Sequence, residues 1–126
     1  MYNIGIDLGG TKMAAGVVDD DYKIIGKTSR PTLGMRPDYE IVEDMVKLYY
    51  ESVAASGLDE AEIQSVGIGC PGAVNVESGI LEGTNNLNFH MYPIKDELSK
   101  RLKKEVYIEN DANAAAYGEY IAGGAK

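Results

Sequence analysis

The stretch Gly5-Ile6-Asp7-Leu8-Gly9-Gly10-Thr11-Lys12, taken with the residues on its carboxyl side, decides the fold. Its glycines and terminal lysine resemble a Walker phosphate loop, but the Gly-Lys-Ser/Thr order that such a loop requires is absent. A Walker loop also opens a helix, whereas Met13-Ala14-Ala15-Gly16-Val17-Val18 reads as a second strand. The segment is therefore a glycine-rich turn between strands predicted over Tyr2 to Leu8 and Lys12 to Asp19. Such a turn either simply joins two strands or binds phosphate. In the second case glycine lets backbone N–H groups of Gly9, Gly10, Thr11 and Lys12 approach anionic oxygens, with the Thr11 hydroxyl and the Lys12 ammonium beside them. Asp7, at the end of the first strand, then faces Mg2+ through water.

Asp19-Asp20-Asp21 marks a turn, and Tyr22 to Arg30 supplies a third strand, completing an antiparallel meander. Pro31, Gly34 and Pro37 break the chain before a helix over Glu40 to Ser56, whose Ile41, Val42, Met45, Val46, Tyr49 and Val53 share one face. Asp38 is expected to cap it and Gly57 to end it. A buried strand over Ser65 to Cys70 leads into a loop-rich stretch with a small hairpin, as far as Asn88. After Pro93 a helix places Ile94, Leu98 and Leu102 on one face, a strand covers Val106 to Glu109, and an Ala-rich helix runs from Ala112 to Ala122. The order βββαβαβα describes an α/β domain with a mixed sheet flanked by helices. This layout resembles the actin and hexokinase type, which is ribonuclease H-like.

The 126 residues suit a single domain over 1–126. With 44% hydrophobic and 25% charged residues the composition is that of an ordinary globular protein, and no apolar run approaches the ~20 residues a membrane span needs. Met1 to Leu8 lacks the basic start and long apolar stretch of a secretory signal. The lone Cys70 is read as a small buried thiol in a reducing compartment, and the expected location is the cytoplasm. A net charge of -8 repels a nucleic-acid backbone. The one basic run, Lys100-Arg101-Leu102-Lys103-Lys104, falls at a helix end, where cations complement the helix dipole.

Gly67-Ile68-Gly69-Cys70-Pro71-Gly72 matches a dinucleotide-binding fingerprint letter for letter, yet Ala73 to Gly79 has turn residues where that motif needs a helix. Pro71-Gly72-Ala73 is better read as a rigid loop whose backbone groups line a ligand. In Glu109-Asn110-Asp111-Ala112-Asn113-Ala114-Ala115 an Asp stands between a strand and a helix. It is a helix N-cap, or a general base for a substrate hydroxyl at the strand edge where open α/β sheets bind ligands. Asn110 and Asn86 carry the paired donors and acceptors that sugar hydroxyls require. His90 is read as a surface loop residue.

Asp7 to Lys12, Gly67 to Gly72, Asn86-Leu87 and Glu109 to Ala115, in this order and spacing, resemble the N-terminal domain of the ROK family (repressors, open reading frames, sugar kinases), above all its bacterial glucokinases. The resemblance implies an ATP-dependent hexose kinase in which the hairpin binds ATP phosphates with Mg2+, the residue matching Asp111 is the general base, and those matching Gly72, Ala73, Asn86, Asn110 and Asp111 line the sugar pocket. It further implies that a second lobe, with another phosphate loop, a Glu-x-x-His sugar motif, the adenine pocket and a structural zinc site, lies outside these residues. The fragment alone is then expected to be inactive, and a homodimer is one state open to the full-length protein. Glucose, fructose, N-acetylmannosamine and allose kinases share these motifs. The alternatives are a sugar-sensing regulator domain, against which stands the lack of a winged-helix segment before the first strand, and a truncated sugar-binding module. Asp7 and Asp111 are expected at the carboxyl ends of adjacent parallel strands.

Overall fold

The computed structural model describes residues 2–21, 23–84 and 87–110, and of Asn110 only the backbone. The elements in chain order are β1 (Tyr2–Leu8), β2 (Lys12–Val18), β3 (Ile24–Pro31), α1 (Asp38–Ser56), a 3-10 turn (Glu60–Glu62), β4 (Ile63–Cys70), β5 (Ala73–Asn75), β6 (Ile80–Gly83), β7 (His90–Tyr92), α2 (Ile94–Leu102) and β8 (Glu105–Asn110). The expected order holds through β8, and the Ala112 to Ala122 helix lies outside the described residues.

A five-stranded sheet is ordered β3-β2-β1-β4-β8. The meander β1-β2-β3 is antiparallel, and β4 and β8 run parallel to β1. Register puts Ile4, Val66 and Val106 in one row and Ile6, Ile68 and Ile108 in the next, and all six side chains are buried. Alternation sends Asn3, Gly5 and Asp7 to the opposite, exposed face of β1. On this apolar face helix α1 packs over β3 and β2 and reaches β1 with Ile41, Val42, Met45, Leu48, Tyr49 and Val53 buried, and α2 packs beside it on β8 through its buried residues Ile94, Leu98 and Leu102. Burying each such side chain contributes about 1.5–3 kcal/mol.

The structure corrects the sequence reading in several places. Pro37, not Asp38, is the N-cap of α1, with no side-chain cap bond. Its carbonyl accepts from the N–H groups of Glu40 and Ile41, which leaves Asp38 inside the first turn, where its charge faces the positive end of the helix dipole. Strand β3 begins two residues later than expected, because the Asp19 carboxylate accepts from the N–H groups of Asp21 and Lys23 and holds that stretch in a turn. Its end at Pro31 is tolerated because β3 is an edge strand. The small hairpin is a separate three-stranded sheet, β5-β6-β7, which includes His90. Strand β4 lies between β1 and β8, so β1, which carries Asp7, and β8, which leads toward Asp111, are not adjacent; Asp111 itself lies outside the described residues.

Other expectations hold. Gly57 ends α1 in the left-handed conformation, and Cys70 is buried. The basic run is engaged within the molecule. Arg101 donates two bonds to Glu43 at 2.7 and 3.0 Å, and the Lys104 ammonium donates to the Glu60 carbonyl at 3.0 Å.

Leu48 is fully buried between α1 and the sheet. Leu48→Ala is expected to destabilise the protein by about 2–5 kcal/mol, read as a lower denaturation midpoint at unchanged slope. A loss below about 1 kcal/mol would mean that α1 is not the main cover of the sheet.

Candidate functional site

Strands β1, β4 and β8 are parallel, and β3, antiparallel to β2, points the same way. The loops after β1, β3 and β4, and the chain beyond β8, therefore leave from one edge of the sheet. That is the edge where open α/β sheets bind ligands. Asp7 pairs with Gly69, and Gly69 with Glu109, so three positions stand at one level. Two inter-strand spacings put the Cα atoms of Asp7 and Glu109 about 10 Å apart. The next level pairs Cys70 with Asn110, immediately before Asp111.

Because Ile6 and Leu8 point into the core, Asp7 projects from the exposed face at the end of β1. The hairpin between β1 and β2 is closed by the Gly9 N–H donating to the Lys12 carbonyl at 3.1 Å. A Cβ on Gly9 would collide with that carbonyl oxygen, so the turn needs glycine there. Gly10, Thr11 and Lys12 are exposed.

A second set of contacts ties this hairpin to the segment between β3 and α1. Thr32 is fully buried; its hydroxyl donates to the Gly9 carbonyl at 2.8 Å and its N–H to the Thr11 carbonyl at 2.9 Å. Arg36 donates to the Thr32 carbonyl through Nε (3.0 Å) and Nη2 (2.8 Å), and Nη2 also reaches the Asp44 carboxylate on α1 at 2.6 Å. The Asn88 side chain donates to the carbonyls of Met35 (2.8 Å) and Arg36 (3.1 Å). Sequence reasoning gave Thr32 and Arg36 no role. Their partners include residues up to 52 positions away, and a Pro-Thr pair leaving a strand carries no sign of them.

Pro71 and Gly72 lead from β4 directly into β5, where Ala73 pairs with Gly83. Gly72 has a φ of 81°, and a Cβ there would run into the Gly83 carbonyl oxygen, so this bend too needs glycine. Gly72 and Ala73 are exposed at the ligand edge. Beyond the end of β6 the Thr84 hydroxyl donates to the Leu87 carbonyl at 2.7 Å, and the rings of Phe89 and Tyr92 meet edge to face at 5.3 Å. Burial pushes the Tyr92 phenol up to about 12. Asn86, the Asn110 side chain and Asp111 lie outside the described residues. The edge thus brings together Asp7, the Gly9 to Lys12 hairpin, Gly72 and Ala73. Among the described residues no three His, Cys, Asp or Glu side chains cluster as a metal site, and no helix is long and apolar enough to cross a membrane.

The profile of the ROK family matches residues 3–126. The glucokinase of Thermotoga maritima is 41% identical over 117 residues, covering 92% of this chain and 35% of that protein. The crystal structure of a ROK family glucokinase from Streptomyces griseus, in complex with glucose and AMPPNP, superposes with a TM-score of 0.83 at 35% identity, over 100% of this chain and 38% of that one. The ROK hexokinase from Thermus thermophilus superposes with a TM-score of 0.84 at 31% identity, over 97% of this chain and 39% of that one. The fold is the actin and hexokinase type, and the chain spans roughly a third of the length of the curated relatives it matches.

Gly72→Ala is expected to cost at least about 1–2 kcal/mol from the left-handed backbone alone, seen as a lower Tm. A Cβ on Gly83 meets nothing within 4 Å, so Gly83→Ala should melt close to the parent. Equal melting temperatures for the two variants would contradict the geometry of this bend.

Proposed function

The chain belongs to the ROK family, and on that premise we propose that it forms the N-terminal lobe of a cytoplasmic kinase that transfers the γ-phosphoryl group of ATP to a hexose, with glucose as the preferred substrate. The observation that carries this reading is the common edge of β1, β4 and β8. It sets a glycine hairpin whose Gly10, Thr11 and Lys12 are exposed, a carboxylate at the end of β1 and the strand leading to Asp111 within two strand spacings. Glucose is favoured because two of the similar proteins are glucokinases, one of them bound to glucose and AMPPNP.

Each residue has a role in this reading. Gly9, Gly10, Thr11 and Lys12 hold the ATP phosphates, the backbone N–H groups and the ammonium countering their charge. Gly72, Ala73, Asn86 and Asn110 orient the sugar, and Asp111 accepts the proton of its C6 hydroxyl as the oxygen attacks phosphorus in line. Catalysis of this type depends chiefly on positioning and charge neutralisation. Asp7 suits Mg2+ because it is a single exposed, hard oxygen donor, and this ion keeps several of its own waters when bound. When bound, Mg2+ neutralises phosphate charge. The adenine pocket, a structural zinc site and the second wall of the cleft belong to a C-terminal lobe beyond residue 126, and a homodimer of the full-length protein is compatible with the proposal.

Asp111→Asn in the full-length protein keeps a competent helix cap, since Asn and Asp serve nearly equally there. A kcat lower by about 10²–10⁴-fold is expected, with hexose affinity and Tm little changed. A near-parental kcat would remove Asp111 from catalysis.

A further inference from the structure

We propose that Thr32 is a positioning residue that aims two backbone N–H groups of the Gly9 to Lys12 hairpin at the phosphates of the nucleotide; this rests on the phosphate-binding role of that hairpin proposed above. In a trans peptide the carbonyl and the following N–H point in opposite directions, and no peptide bond among the described residues is cis. The Thr32 hydroxyl holds the Gly9 carbonyl, which turns the Gly10 N–H away from Thr32. The Thr32 N–H holds the Thr11 carbonyl, which turns the Lys12 N–H away as well. Thr32 is fully buried, while Gly10 and Lys12 are exposed, so both N–H groups point away from the buried side of the hairpin.

An ordinary four-residue turn would use the Gly9 carbonyl as the acceptor for the Lys12 N–H. Here that carbonyl faces Thr32 instead, and the Gly9 to Lys12 bond runs the other way, from the Gly9 N–H to the Lys12 carbonyl. Thr32 is itself fixed by the two bonds from Arg36, and Arg36 by Asp44 on α1. The donors are therefore oriented before a ligand arrives, the condition under which hydrogen bonds to an anion cost no reorganisation. Losing the hydroxyl frees the Gly9 peptide to rotate and lets the Lys12 N–H close an ordinary turn.

The test uses the full-length protein with ATP, Mg2+ and glucose. Thr32→Val removes the hydroxyl at nearly constant shape and is expected to raise the KM for ATP about ten-fold, with the KM for the hexose unchanged. Thr32→Ser restores the donor and should return the KM for ATP to within about two-fold of the parent. A lower Tm in Thr32→Val with both KM values unchanged would overturn the proposal, because a merely structural threonine behaves that way. Lys12→Ala, measured in parallel, separates the two layers. If it too leaves the KM for ATP unchanged, the phosphate-binding reading of the hairpin fails and the positioning role falls with it. If Lys12→Ala raises that KM and Thr32→Val does not, the positioning role alone fails. Should Thr32→Val not fold, amide NMR of the parent decides the matter. Titration with AMPPNP should shift the Gly10 and Lys12 amides, and a titration that moves neither would overturn the proposal.

Discussion

Ile6 pairs with Ile68 and Ile68 with Ile108, and this parallel register across β1, β4 and β8, continuous along β1 from Asn3 to Asp7, is the constraint on which the ligand edge depends. The three side chains are buried under the helices, so a one-residue slip of any strand would expose its whole apolar row. The same pairing sets Asp7, Gly69 and Glu109 level on the other face. Chemistry at the edge is thus positioned by hydrophobic burial on the opposite face, with no need for contacts among the polar groups themselves.

A second, polar layer of organisation lies just above that edge. Buried polar groups are costly unless satisfied, and Thr32 is satisfied by the carbonyls of the hairpin that it touches. Arg36 extends the connection to Asp44 on α1, and Asn88 extends it to the loop between β6 and β7. The hairpin after β1, the segment after β3 and the loop before β7 are therefore joined by hydrogen bonds, although they are far apart in sequence. Substrates bound by these loops would share one rigid support.

The parts of the fold written in local pattern were legible in the sequence. Strand alternation in Tyr2 to Leu8, the apolar faces of α1 and α2 and the glycine stop at Gly57 all read correctly, because each depends on neighbours within a few residues. The strand order was not legible at the point that mattered for Asp7 and Asp111. Placing β4 between β1 and β8 is a consequence of two crossovers, which local spacing does not specify. The Asp38 cap was misread because Pro37, with its fixed φ, already occupies the turn. Strands of three or four residues in the small sheet are too short to show a period. At the site, Asp7, the hairpin and the Gly72 bend could be named from residue chemistry, whereas Thr32 and Arg36 act through contacts that only the folded chain brings together.

The most direct measurement of the central claim is a crystal structure of the full-length protein with a non-hydrolysable ATP analogue, Mg2+ and glucose. The account predicts the phosphates against the Gly9 to Lys12 hairpin and the sugar beside Gly72, with its C6 hydroxyl within hydrogen-bond reach of Asp111. Phosphates bound away from that hairpin, or a sugar on another face of the sheet, would contradict it.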